Sequence, residues 1–243
     1  MNKQFVSFIT AGDPSLEKTK EFIETLAEHS DIIEIGLPFS DPLAEGETIE
    51  AANARALANG TTTAKMFDML KSVDVTSELV ILTYVNPVFV YGYDKFFKQC
   101  KECGVYGVII PDLPFEERAE VESFADKYDV HLITLIAPTS AERVQMLAKN
   151  ATGFIYLVSS MGVTGVRDKF EIDLRDIVKQ IKEVTDVPVY IGFGISTPEQ
   201  AKKMHEIADG IIVGSAIVRI IKEHGENSAV HIKKFVEEMT YNV

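Results

Sequence analysis

The run Ile32-Ile-Glu34-Ile-Gly36 sets one carboxylate among aliphatic residues. A carboxyl group removed from water resists ionisation, so its pKa rises. A raised pKa is what a general acid/base needs near neutral pH. The other reading has Glu34 facing outward and paired with a lysine. Unpaired glutamate is rare inside buried strands, which favours the chemical reading. Just downstream, Leu37-Pro-Phe-Ser-Asp41-Pro42-Leu-Ala-Glu45-Gly46 gathers two prolines, an Asp-Pro turn and a glycine. That is the composition of a shaped loop. It carries Asp41 and Glu45, either of which, taken alone, also reads as a solvated loop carboxylate.

Anion chemistry is suggested by glycine rather than by lysine. Gly192-Phe193-Gly194-Ile-Ser196 and Gly214-Ser215-Ala216 each follow an apolar run, and the second precedes a short helical stretch, Ala216 to Lys222. Main-chain N–H groups and the amino end of a helix bind phosphate without any basic patch. The bland alternative is a pair of glycine turns that let strands pack on helices. Gly162-Val-Thr164-Gly165 reads either as a glycine-hinged lid or as an ordinary exposed loop. Tyr84, Asn86, Asp112 and Tyr156 are further polar or aromatic residues near the ends of apolar runs.

The elements that must hold these residues alternate along the whole chain. Strand-like runs fall at Phe5–Ile9, Asp31–Gly36, Leu79–Tyr84, Tyr106–Pro111, Val130–Ile136, Gly153–Ser159, Val187–Gly192 and Asp209–Val213. Helical patterns lie between them, among them Leu16 to His29, Tyr93 to Cys103, Glu116 to Tyr128, Asp173 to Val184 and Ser228 to Met239. Thr139-x-x-Glu142 reads as a capping box, and Thr197-Pro198-x-Gln200 as a cap before proline. Near-continuously apolar strands suit a parallel sheet covered on both faces. Eight βα units in 243 residues predict an α/β fold, a (β/α)8 barrel in one domain over 1–243, with an open doubly wound sheet as the alternative. In such a barrel the chemistry sits at the carboxyl ends of the strands.

Composition narrows the function. Lys and Arg number 24 against 37 Asp and Glu, a net charge of −13, which argues against nucleic acid and anionic membranes as partners. No apolar run reaches the ~18 residues of a membrane span, and the first residues do not read as a signal peptide, so the expected location is the cytoplasm. Cys100 and Cys103 lie on a helical apolar stripe and read as buried reduced thiols. The histidines show no metal-ligand spacing, and no strand carries a Schiff-base lysine.

Phe8-Ile-Thr-Ala-Gly-Asp-Pro14, Glu34-Ile-Gly-Leu-Pro-Phe-Ser-Asp-Pro-Leu-Ala44, Gly162-Val-Thr-Gly165, Gly192-Phe-Gly-Ile-Ser196 and Gly214-Ser-Ala-Ile-Val218 together resemble the tryptophan synthase α subunit, in order and along nearly the whole chain. That resemblance implies a TIM barrel and a lyase of tryptophan biosynthesis. The lyase cleaves indole-3-glycerol phosphate to indole and glyceraldehyde 3-phosphate. It implies no cofactor in this chain, and a pyridoxal-phosphate-dependent β subunit as partner in an α2β2 complex.

Residue by residue, Glu34 matches the family's acid/base, and Glu45 stands where an aspartate usually meets the indole N–H. Phe8, Tyr84 and Tyr156 match aromatic positions lining the pocket, and Thr164 a loop residue that contacts the loop carboxylate. Gly165, Phe193, Gly194, Gly214 and Ser215 match phosphate positions. Asp41 and Pro42 match loop positions facing the β subunit. The departures are Glu45 for the usual Asp, which adds about 1.5 Å of bond length, Glu47 where proline is frequent, and a short segment before the first strand. Other readings are a different phosphate-binding barrel lyase or isomerase, or a weakly active subunit kept mainly to activate β.

Overall fold

β-Branched runs flanked by amphipathic helices settle into parallel strands because each helix covers the strand pair that it connects. The computed structural model describes residues 3–138, 140–158, 174–192 and 194–240. Its strands are β1 (Gln4–Thr10), β2 (Ile32–Gly36), β3 (Glu78–Leu82), β4 (Val105–Ile109), β5 (His131–Leu132), β6 (Thr134–Ile136), β7 (Ile155–Val158), β8 (Val189–Gly192) and β9 (Gly210–Val213). They pair in the order β5-β4-β3-β2-β1-β9-β8-β7-β6, every ladder parallel. The two ends of that order, β5 and β6, are consecutive in the chain and separated only by Ile133. The sheet therefore closes on itself, and the expected eight-stranded barrel stands with its fifth strand in two pieces.

The break has a physical cause. Arg118 lies buried outside the barrel and donates to Leu132 O at 2.6 Å and to Thr134 Oγ1 at 2.8 Å, across the join. Ile133 N turns to Val108 O at 2.9 Å.

Side-chain alternation sorts the core into two parts. Val6, Ile32, Val80, Ile109, Ile133, Phe154, Tyr190 and Ile212 pack together inside the barrel. Ile33, Ile35, Ile81, Leu157, Ile191 and Ile211 belong to the larger cluster shared with the helices.

The helices are α1 (Leu16–Leu26), α2 (Glu47–Ala58), α3 (Thr63–Leu70), α4 (Val85–Tyr91), α5 (Tyr93–Glu102), α6 (Ala119–Tyr128), α7 (Ala141–Lys149), α8 (Leu174–Lys182), α9 (Pro198–His205), α10 (Ser215–His224) and α11 (Ser228–Thr240). The capping box at Thr197 forms as expected, with Gln200 reciprocating. Thr139, where the other was expected, lies outside the described residues, and at α7 Ser140 is the cap residue and accepts from Arg143 N. The helix after the last strand begins at Ser215 and runs to His224, longer than the expected Ala216 to Lys222. The stretch expected to be helical from Glu116 divides into a 3-10 turn at Phe115–Glu117 and α6. Cys100 is buried and both cysteines are free thiols, their pKa values raised chiefly by burial.

Candidate active site at the carboxyl end of the barrel

Strand alternation decides where Glu34 points. Ile32 is in the interior cluster and Ile33 and Ile35 are in the outer one, so Glu34, two residues after Ile32, faces into the barrel. The outward, lysine-paired alternative is thereby overturned. Glu34 is 2 % exposed, and its Oε2 has no hydrogen-bond partner among the described residues. Burial, with the Glu45 carboxylate adding like charge, pushes its pKa up to about 8. Thr10 and Thr83, both buried near strand ends, also have hydroxyl groups without partners among the described residues. Buried polar atoms without partners are costly in a folded protein and fit a site built to meet a ligand.

Glu45 lies half-buried in the loop between β2 and α2. Its pKa is also raised, by burial, against hydrogen bonds that favour the charged form, the first of them from Tyr84. The Tyr84 phenol donates to Glu45 Oε2. Tyr156, on β7, is pushed well above the ordinary phenol range by burial, with Glu34 and then Glu45 adding to the effect. Both carboxylates therefore act on one phenol, and the three groups face a common space. Gly192 makes room for it, since a Cβ there would collide with the Tyr156 ring and hydroxyl.

On the other side, Phe8 is the register partner of Glu34, and its ring occupies the space beside Gly36 and Gly214. Gly214 caps α10 with no side-chain hydrogen bond, leaving first-turn N–H groups for another acceptor. Gly194 has φ +77°, a conformation that glycine adopts without strain. Order β2-β1-β9 sets Glu34 and the Gly214 end two strands apart, roughly 10 Å at the usual strand spacing. Ser215 opens α10 and is half-buried. Thr164, Gly165 and Phe193, named with these positions, lie outside the described residues.

Several features around the site were not legible beforehand. Glu47 is the first residue of α2, where a carboxylate suits the positive end of the helix dipole; the site of the departure from proline is thus a helix start. Asp13, 2 % exposed, receives the Nε and a terminal N–H of Arg55 at 2.9 and 2.7 Å and ties α2 to the end of β1. Asp112 accepts from Val85 N at 2.9 Å. Two cavities lie elsewhere: about 180 Å³ beside Arg118, and about 700 Å³ at the amino-terminal mouth near Gln4, Asp31, Glu78 and Tyr190.

Comparison with known proteins fixes the lineage of this arrangement. A family model described as tryptophan synthase alpha chain matches residues 1–242. The chain belongs to the tryptophan synthase alpha chain family. The alpha chain of Lacticaseibacillus casei is 47% identical over 241 residues, covering 98% of this chain and 91% of that protein. That of Thermoanaerobacter sp. (strain X514) is 46% identical over 242 residues, covering 98% and 92%. Among solved structures, tryptophan synthase subunit alpha from Campylobacter jejuni has a TM-score of 0.89 at 37% identity, covering 98% of this chain and 96% of that one. A structure addressing mutual activation of the tryptophan synthase α2β2 complex from Pyrococcus furiosus has a TM-score of 0.89 at 36% identity, covering 98% and 99%. The TIM barrel and the lyase reaction that the motifs implied are those of the tryptophan synthase alpha chain family.

Proposed function

We propose that this chain cleaves indole-3-glycerol phosphate at the carboxyl end of its barrel, with Glu34 as the acid and base. Glu34 protonates indole C3, turning the ring into an electron sink. It then takes the proton of the hydroxyl on the adjoining glycerol carbon. The C3–glycerol bond breaks, its electron pair returns to the ring, and indole and glyceraldehyde 3-phosphate result; the carboxyl has given and regained one proton. Glu45 steadies the cationic ring at its N–H, so two carboxylates in different settings take acid and electrostatic roles.

Phe8 and Tyr156 line the indole pocket. The phosphate rests on main-chain N–H groups at Gly194, Gly214 and Ser215, joined on family resemblance by Gly165 and Phe193, with Thr164 contacting the loop carboxylate. The ring itself is the electron sink, so this chain needs no cofactor, and pyridoxal phosphate belongs to the β partner. Supporting that partner, Leu43 is 80% exposed beside Asp41 and Pro42, and Phe89 and Val90 are 63% and 74% exposed on α4. Exposed large apolar side chains of this kind suit a protein contact. The biosynthetic reaction belongs in the cytoplasm, carried out by one barrel domain over 1–243. Among the described residues no helix is long and apolar enough to cross a membrane.

The observation that carries this reading is the inward, buried Glu34, with an oxygen that has no partner among the described residues and a pKa near 8. Glu34→Gln keeps the shape and removes the proton. Indole release from indole-3-glycerol phosphate should fall at least ~100-fold, the lower end of what one acid/base group supplies. A rate near wild type would remove Glu34 from the role.

A further inference from the structure

The amino-terminal mouth of the barrel, away from Glu34, holds a cavity of about 700 Å³, within the size range of small-molecule sites. Asp31 precedes β2 and Glu78 opens β3; the Glu78 N–H donates to Asp31 O at 3.0 Å, so the two side chains start from neighbouring backbone. Asp31 Oδ2 accepts the N–H of Phe5 at 2.7 Å, which holds that carboxylate at the rim. Among the described residues neither carboxylate has an ion-pair partner. Glu28 and His29, on the same rim, are already paired with Lys233 and Glu237 of α11. Two phenols complete the cavity. Leu79 pairs with Val105 and Val80 with Gly107, which leaves Tyr106 as the extra residue of a β-bulge. The bulge reverses the alternation, so Val105 joins the outer core while Tyr106 packs on the interior cluster. Tyr190, on β8, is 5% exposed, with its ring stacked on Phe154 at 4.7 Å. Gly210 makes room for it, since a Cβ there would lie 2.7 Å from the ring. Both tyrosines line the cavity, and neither hydroxyl has a hydrogen-bond partner among the described residues. Burial raises the Tyr190 pKa, and Tyr106, Glu78, Asp209 and Asp31 add to it, so these groups share one field.

We propose that the amino-terminal mouth binds a small aliphatic diamine, one ammonium group meeting Glu78 and the Tyr106 and Tyr190 oxygens, the other meeting Asp31. An ammonium group carries three donors and no acceptor, and carboxylate and phenol oxygens offer the lone pairs that it needs. Hydrogen bonds of this kind are charge-assisted. Two carboxylates without a cation repel one another, and burial with the Asp31 charge already holds Glu78 above its ordinary pKa. A ligand with two positive charges relieves both carboxylates at once. A bare divalent ion fits less well. Calcium and magnesium take six or more oxygen ligands, and among the described residues no three His, Cys, Asp or Glu side chains gather to hold a metal ion. An anion has the wrong sign. The net charge of −13 also favours the approach of a dication from solution.

The test is calorimetric titration of the full chain with 1,4-diaminobutane at neutral pH and about 0.15 M salt, where diffuse surface attraction is screened. The wild type should bind one equivalent with a Kd below about 1 mM. Glu78→Gln removes one charge at an exposed position and should weaken binding ~10-fold or more. Tyr190→Phe keeps the stacked ring, removes only the oxygen, and should weaken it ~5-fold or more. Glu142→Gln, an exposed carboxylate on α7, should leave Kd within about twofold. n-Butylamine, with one ammonium group, should bind at least ~10-fold more weakly than the diamine. Absence of saturation, or equal losses in Glu142→Gln and Glu78→Gln, would mean attraction to an acidic surface and overturn the proposal. Equal affinity for n-butylamine would make this a single-ammonium site, and magnesium chloride binding as tightly with the same dependence on Glu78 would make it a metal site; either result overturns the diamine. An unchanged Kd in a folded Tyr190→Phe would do the same. If Tyr190→Phe fails to fold, Glu78→Gln and the comparison with n-butylamine decide.

Discussion

At the scale of single residues, Glu34 sets function against stability. Its carboxyl ionises near 4.5 when free and near 8 in the fold. Between those values the folded chain holds the proton more tightly than the unfolded one, so stability falls as pH rises through that window and levels off above it. Glu34→Gln removes the titration. The variant should match wild type near pH 4 and exceed it by ~2–5 kcal/mol at pH 8, at ~1.4 kcal/mol per pKa unit. Urea denaturation at both pH values checks this, and a difference that does not change with pH would mean that Glu34 titrates as a solvated group. Glu34 was legible because a lone carboxylate in an aliphatic strand is conspicuous. Its inward orientation was not, since an all-apolar strand hides which face is inside until Ile32 and Ile33 are seen in separate clusters.

At the scale of elements, the strands were legible and the helices near the mouth were not. Strand runs such as Val108-Ile-Ile110 are apolar because both faces are covered. Helix α2 buries only Ala52, Asn53 and Ala56, too faint a stripe to show in the sequence. It is also tied by the pair between Arg55 and Asp13, 42 residues apart, which no local pattern signals. The division of the fifth strand has a similar origin, because Arg118 reaches it from another element. Cap selection at α7 misled for a local reason. Thr139 and Ser140 are neighbouring hydroxyl residues, and Glu142 pointed to the first, while Ser140 is the described cap residue.

At the scale of the whole molecule, the apolar exposure is concentrated. Among the described residues, three of the four large exposed hydrophobic ones, Leu43, Phe89 and Val90, stand on the loop after β2 and on α4. Val88 is buried while its neighbours Phe89 and Val90 face out, a division that only the fold shows. Phe89→Asp should weaken binding of the β subunit by about tenfold or more, ~1.4 kcal/mol, measured by calorimetry. Unchanged affinity would put the partner on another face. Everything the barrel, loop and partner surface accomplish converges on the protonation of one side chain. Its most direct measurement is a ¹³C-carboxyl NMR titration of the folded chain, with Glu34→Gln identifying the resonance. The account predicts a midpoint for Glu34 near pH 8, so that the acid is loaded at neutral pH. A midpoint near 4.5 would contradict it.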